Sequence, residues 1–178
     1  RSLKELQTDY IDVYQVHWPD RPTNLFGNLD YEHKETGDTI PIEETLDALN
    51  NLVKIGKVKY IGVSNETPWG VQQYLKHSSE KKFARIVSIQ NSYNLLNRSF
   101  EVSLSEIAIR EKVSLLGYSP LASGYLTGKY RNGKLPEGAR ITLNKSYWPR
   151  YQTETGAKAV DEYWNLAKKH NIDPAQMA

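Results

Sequence analysis

IDVYQVHWPD, residues 11–20, begins as a strand and is stopped by its own last residues. Ile11, Val13, Tyr14 and Val16 are β-branched or aromatic and suit a pleated, buried surface. His17 and Trp18 follow, and Pro19 then removes a backbone donor, so sheet pairing ends there. In proteins built from parallel strands and helices, chemistry collects at the carboxyl ends of the strands. His17, at such an end and facing a long loop, is therefore the first candidate for function.

The same unit recurs along the chain. Strand Ile11–His17 leads through a loop to a helix over Ile42–Ile55, where Ile42, Leu46, Leu49 and Val53 share one face. Pro41 opens that helix and Gly56 closes it. A second strand spans Val58–Ser64, and Thr67 caps a helix that starts at Pro68 and carries Val71, Tyr74 and Leu75 on one side. The third strand, Arg85–Gln90, precedes a helix over Ser99–Lys112 with Phe100, Leu104 and Ile107 in register. The fourth, Val113–Ser119, opens a loop from Pro120 to about Thr153 before a last helix aligned on Ala157, Val160, Trp164 and Ala167.

Strand-then-helix units repeated in this way imply a parallel sheet, because each helical crossover returns the next strand in the same direction. The strands are apolar on both faces, as strands covered by helices must be. An open doubly wound sheet and a closed (β/α)8 barrel both fit. A complete barrel takes roughly 250 residues, so this chain would be about half of one. Arg1–Thr8 reads as the tail of a helix, and Asp173 and Pro174 begin another with only four residues after them. The expectation is a single partial TIM barrel domain over residues 1–178, truncated at both ends and holding four parallel strands each followed by a helix.

Bulk properties exclude several function classes. Hydrophobic residues at 39% and charged residues at 25% describe a soluble, folded chain. A formal charge of +2 is too slight to argue for nucleic acid or an anionic membrane as partner. No apolar run approaches a membrane span and no signal-peptide pattern opens the chain. Zero cysteines exclude disulfides, thiolate catalysis and zinc–cysteine sites, and accord with a cytoplasmic location.

Polar residues stand at every strand end: His17, then Ser64 and Asn65, then Gln90 and Asn91, then Tyr118 and Ser119. Any one set reads equally well as a strand end meeting water. All four together point to a bound small molecule. His17 can donate to a substrate oxygen or shuttle a proton, and can equally do no more than bond a backbone carbonyl. His33, His77 and His170 make no metal-ligand spacing with it, so no metal is expected.

GYSPLASGYLTGKY, residues 117–130, combines small residues (Ala122, Ser123, Gly124, Gly128) with the hydroxyls of Ser119, Ser123 and Thr127. Gly124–Lys129 is one residue short of a Walker loop and is followed by Tyr130 instead of Ser or Thr, and no GxGxxG follows any strand. Lys129, Arg131, Lys134 and Arg140 form a basic run that is either solvated surface or, beside the small-residue loop, a phosphate contact. The other long loop, Trp18–Pro41, holds Trp18, Phe26 and Tyr31, which line an apolar pocket or pack on one another.

These motifs resemble the aldo-keto reductase family through nearly the whole chain. SLKELQTDYIDVYQVHWPD (2–20) is similar to its fourth strand and active-site histidine, KVKYIGVSN (57–65) to its fifth strand, IVSIQNSYN (86–94) to its sixth, and LLGYSPLASGYLTGKY (115–130) to its seventh strand and cofactor loop. IGVSNET (61–67) and NLLNRSFEV (94–102) resemble its bacterial Tas-like branch. The resemblance implies an eight-stranded barrel that binds NADPH without a Rossmann motif and transfers hydride to the carbonyl of an aldehyde or ketone. By motif, His17 would orient the carbonyl oxygen, with Trp18 bordering the substrate. Ser64, Asn65 and Gln90 would bond the nicotinamide carboxamide, and Tyr118 would stack on the nicotinamide ring. Ser119, Leu121, Ser123, Gly124 and Leu126 would wrap the pyrophosphate, with Lys129 and Arg140 around it and the adenosine phosphate. The family's catalytic tyrosine, lysine and aspartate precede its fourth strand and match nothing here, so the resemblance implies an inactive fragment of an active parent. The same fold also serves nicotinamide-nucleotide-sensing subunits, such as potassium-channel β subunits, which is the competing reading.

Overall fold

Punctuating residues set the borders of the elements. The computed structural model describes residues 1–24, 31–34, 37–144 and 149–178. Helix α1 (Ser2–Leu6) precedes strand β1 (Ile11–Val16). Helix α2 (Ile42–Lys54) has Glu43 and Glu44 in its first turn and Lys54 in its last, the arrangement the helix dipole favours. Gly56, at φ 72°, turns the chain into β2 (Val58–Ser64). Thr67 Oγ1 accepts from Gly70 N and, with Pro68, starts α3 (Pro68–Lys81). β3 (Ile86–Ser92), α4 (Leu104–Arg110) and β4 (Ser114–Tyr118) follow. After β4 come the short helix α5 (Arg140–Leu143), the long α6 (Glu154–Lys169) capped by Thr153, and α7 (Pro174–Met177) capped by Asp173.

The four strands form one sheet in the order β1-β2-β3-β4. β1 and β2 run parallel with Gln15 opposite Gly62 and Val16 opposite Val63, and β2 and β3 run parallel with Gly62 opposite Ser88 and Ser64 opposite Gln90. Each strand is added on the same side of its predecessor. That is barrel winding, whereas a doubly wound sheet reverses direction at a switch point. The fold is part of a (β/α) barrel.

Four details differ from expectation. The helix read over Ser99–Lys112 is a 3₁₀ turn at Ser99–Val102 followed by α4, because Ser103 (φ −147°, ψ −39°) leaves the helical region. β3 begins one residue late and runs on to Ser92, with Arg85 instead paired to Glu111. On one face burial holds for β2 and β3, where Ile61, Val63, Ile86 and Ile89 are all but fully buried, while Tyr60 on the other face of β2 is 54% exposed. It does not hold for β1, an edge strand with one ladder neighbour, whose Val13 and Tyr14 are 40% and 37% exposed. The long loop after β4 is also less irregular than expected, holding 3₁₀ turns at Ala122–Thr127, Arg131–Gly133 and Pro149–Tyr151.

The described chain divides into two compact units, Arg1–Asn91 with Glu101–Leu116, and Ser92–Phe100 with Gly117–Ala178. In the first, Leu46, Ile61, Val63, Val71, Tyr74 and Ile86 form the core. In the second, Ala122, Leu126 and Tyr151 make an apolar cluster with Leu95, Leu96 and Tyr163 packed on it. No helix among the described residues is long and apolar enough to cross a membrane.

Tyr74 gives the first unit a testable alkaline limit. Its phenol is pushed up to about 12, by burial first and then by the Glu66 carboxylate, with Arg21 opposing. A group whose folded value is raised stabilises fully below its unfolded value, here 10.0, and loses that contribution as pH climbs to the folded one. Stability measured by urea titration should therefore fall between those two values. The Tyr74→Phe variant should fall less steeply there; an identical slope would show that Tyr74 ionises as it does in the unfolded chain.

Candidate functional site

In the first unit, the ends of β1, β2 and β3 are tied together by side-chain amides and a hydroxyl. His17 directly follows β1 and is exposed, its ring tilted 37° against Trp18 at 5.0 Å. Its backbone carbonyl accepts from Asn65 Nδ2 at 3.0 Å. Asn65 sits in the left-handed region at φ 56°, which asparagine tolerates, and its own N–H donates to Gln90 O at 3.0 Å. Ser64, buried at the end of β2, donates Oγ–H to the same carbonyl at 2.7 Å and accepts from Asn65 Nδ2 at 3.2 Å. Gln90 stands opposite Ser64 in the ladder. His17, Ser64, Asn65 and Gln90, expected together from their strand-end positions, are thus brought together.

Several residues that hold this lattice were not singled out in the sequence, although Asn91 was among the strand-end polar groups. Gln15 Nε2 donates to Gln90 Oε1 at 3.3 Å, and Asn91 Nδ2 donates to Glu66 O at 3.0 Å. Arg21, on the loop after β1, forks onto Glu66 with Nη1 at 2.9 Å and Nη2 at 2.7 Å, and Nη2 also reaches Thr67 Oγ1 at 3.0 Å. The Glu66 side chain is 3% exposed. The guanidinium carbon lies 4.8 Å from the centre of the Trp69 ring. A Cβ on Gly70 would overlap the Glu66 carboxylate, so only glycine fits there. The sequence signal was an acidic residue directly before a helix cap, together with an arginine just past an earlier strand end. Phe26 lies outside the described residues, and Tyr31 is exposed with its hydroxyl 2.9 Å from His33 Nδ1.

In the second unit, the stretch after β4 is a chain of tight turns. Tyr118 O accepts from Tyr93 N at 3.3 Å, and Ser119 takes φ 54°. Ser119 O accepts from Ala122 N at 2.8 Å and from Asn94 Nδ2 at 2.9 Å. Asn94 is buried and also accepts from the N–H groups of Leu96 and Asn97, making it the hub of the turn. Leu121 O accepts from Gly124 N at 2.8 Å and Leu126 N at 3.3 Å, with Ser123 at φ 58° and Gly124 at φ 96° between them. Leu126 is buried in the apolar cluster, so it anchors the turn from below. Arg131 clamps the far side, its Nε 2.5 Å from Asp161 Oδ1 and its guanidinium 3.9 Å above the Trp164 ring. Burial raises the Tyr118 phenol, against a smaller opposing effect of Arg150, so that hydroxyl stays protonated.

Lys129 lies across Gly124: a Cβ there would be 2.7 Å from Lys129 Cε and 3.0 Å from Nζ. Lys129 also stands 5.2 Å from the Tyr130 ring centre and has no carboxylate partner among the described residues. Arg140 is exposed at the start of α5, whose Ile141 N–H donates to Tyr130 Oη at 3.3 Å. A free-standing ammonium over a left-handed, glycine-opened turn fits an anionic diphosphate. The neutral amides and hydroxyl at the strand ends fit a carboxamide. Among the described residues no group of three or more His, Asp or Glu stands ready for a metal.

The comparisons with known proteins agree in direction. The Aldo/keto reductase family matches residues 1–178. The chain is 54% identical over 177 residues to Protein tas of Escherichia coli (strain K12), covering 99% of this chain and 51% of that protein. It is 31% identical to the L-glyceraldehyde 3-phosphate reductase of Escherichia coli O157:H7, covering all of this chain and 47% of that protein. Among solved structures, the glycerol dehydrogenase AKR11B4 from Gluconobacter oxydans superposes with a TM-score of 0.69 at 27% identity, covering 98% of this chain and 46% of that one. The thermostable aldo-keto reductase Tm1743 superposes with a TM-score of 0.64 at 28% identity, covering 99% and 46%. The chain thus spans about half the length of the relatives it matches.

The Arg21–Glu66 pair predicts a large stability effect. Arg21→Ala leaves a carboxylate buried and unpaired, which costs about 3–5 kcal/mol. Gly70→Ala should destabilise by forcing the same pair apart. Denaturant midpoints measure both; a change within about 0.5 kcal/mol, as at an ordinary surface position, would contradict the assignment.

Proposed function

The chain belongs to the aldo/keto reductase family, and from that premise we propose that the protein carrying it is an oxidoreductase moving hydride reversibly between NADPH and the carbonyl of an aldehyde or ketone. The observation that carries this reading is the lattice of Ser64, Asn65 and Gln90 at the carboxyl ends of adjacent parallel strands, beside His17. Its support from relatives is that one similar protein is named a reductase and another a dehydrogenase, the two directions of one hydride transfer.

When bound, the nicotinamide supplies the hydride that reduces the carbonyl carbon. Ser64, Asn65 and Gln90 hold the carboxamide, a neutral group matched to neutral donors and acceptors. Tyr118 offers a ring face, and its raised phenol keeps that ring uncharged. Ser119, Leu121, Ser123 and Gly124 offer backbone to the diphosphate, Leu126 anchors their turn, and Lys129 and Arg140 offer positive charge to the diphosphate and adenosine phosphate. His17 donates from its imidazole to the substrate carbonyl oxygen and so orients it, with Trp18 bordering the substrate. None of these residues is assigned the role of proton donor, which in this reading falls to the tyrosine, with its lysine and aspartate, outside these 178 residues. A small carbonyl compound is the partner, with no nucleic acid or membrane, in the reducing cytoplasm that a cysteine-free chain suits.

The test is NADPH titration followed by NADPH oxidation with an aldehyde panel, using the full polypeptide that carries this chain. Binding with turnover is expected. Binding without turnover on any aldehyde would favour a nucleotide-sensing subunit, and no binding would overturn the cofactor reading. Lys129→Met should raise the NADPH Kd about tenfold at low salt and less at high salt, since the contact is charge-assisted and exposed. A salt-independent change would place Lys129 outside the phosphate contacts.

A further inference from the structure

Gln15 and Gln90 are on strands that are not neighbours, since β2 runs between them. They nevertheless bond, Gln15 Nε2 donating to Gln90 Oε1 at 3.3 Å. The row that makes this possible is Gln15, Gly62 and Ser88, opposite one another across β1, β2 and β3, with Ser64 and Gln90 opposite each other two residues further on. Gly62 is what lets the side chain pass. A Cβ there would lie 2.8 Å from Gln15 Cγ and 2.6 Å from Ser88 Oγ, so any larger residue would close the route. Gln15 Oε1 and Ser88 Oγ are buried there without a hydrogen-bond partner among the described residues, which leaves the bond to Gln90 as the one that fixes the Gln15 amide.

An amide can present either its oxygen or its nitrogen to a ligand, and which one depends on what holds the other end. With Oε1 taken by Gln15, Gln90 keeps Nε2, which donates to nothing among the described residues. We infer that Gln15 is a positioning residue for Gln90, turning its amide so that a donor meets the carboxamide oxygen of the nicotinamide. This rests on the reading above that Gln90 contacts the cofactor. Gln15 itself need not touch the ligand. It makes the site selective for an acceptor at that point, and its effect is confined to the nicotinamide end of the dinucleotide.

The experiment compares NADPH with 2′-phospho-ADP-ribose, which keeps the adenosine and diphosphate and lacks the nicotinamide, on the full polypeptide. Gln15→Leu, similar in volume and without a donor, should raise the NADPH Kd about tenfold, the loss of one buried hydrogen bond's worth of orientation. The Kd for 2′-phospho-ADP-ribose should stay the same. Gln90→Ala and the Gln15→Leu/Gln90→Ala double variant should bind NADPH equally weakly, because Gln15 acts only through Gln90. Gln15→Met, with the same reach and no donor, repeats the measurement should the leucine variant fail to fold. Equal weakening of both nucleotides, an unchanged NADPH Kd, or additive losses in the double variant would each overturn the inference while leaving the cofactor reading intact. Failure of the unsubstituted protein to bind either nucleotide would overturn both together.

Discussion

A parallel strand that runs out into a loop leaves carbonyls with no ladder partner, and a buried one left unpaired costs on the order of 1–3 kcal/mol. In this chain those carbonyls are taken by side chains. Asn65 Nδ2 closes on His17 O and Asn91 Nδ2 on Glu66 O, while Ser64 Oγ adds a second donor to Gln90 O, which already takes the Asn65 N–H. In the second unit Asn94 Nδ2 closes on Ser119 O. The need to satisfy strand ends therefore stations amides and a hydroxyl where a ligand would be met. Capping and ligand contact are not rival explanations of these residues. One donor of an amide serves the backbone, and what the group keeps sets what it offers outward.

Dense polar lattices of this kind leave little room, and missing side chains supply it. Gly62 lets Gln15 cross to Gln90, and Gly70 leaves the volume that the Arg21–Glu66 fork fills. In the second unit Gly124 leaves space for the Lys129 stem. Gly62 and Gly70 do this with ordinary negative φ, so the demand is for volume and not for backbone freedom. The buried fork is retained at a desolvation cost, which its bidentate geometry and the Thr67 contact offset. It also ties the loop that starts at His17 and Trp18 to the first turn of α3, so the position of the imidazole is set partly by a pair of charges remote from it.

Where the sequence was punctuated strongly, the fold was legible. Gly56 before β2 and Thr67–Pro68 before α3 delivered both borders of β2 and the start of α3 as read. Where local preference was weak, tertiary packing decided: the apolar register of Ser99–Lys112 carried no sign of the break at Ser103, and β1 looked as buried as β2 although it is an edge. Of the site, the strand-end residues themselves were legible because polar groups have no packing reason to end buried strands. The supports were not. Gln15 reads as an ordinary strand residue until a glycine on the next strand and an amide on the one after are placed beside it, and Asn94 reads as a turn residue until its carbonyl partner is known.

The two units also differ in what kind of group they are equipped to hold. The first presents amides, a hydroxyl and an imidazole at its strand ends, while its nearby Arg21 charge is consumed by Glu66. A site so neutralised gains little from an anion and much from a polar neutral group that can both donate and accept. The second presents left-handed backbone at Ser119, Ser123 and Gly124 with Lys129 laid over it, while its Arg131 is consumed by Asp161 and Trp164. Each unit thus retires one arginine into its own scaffold, and only the second leaves a cation over its turns.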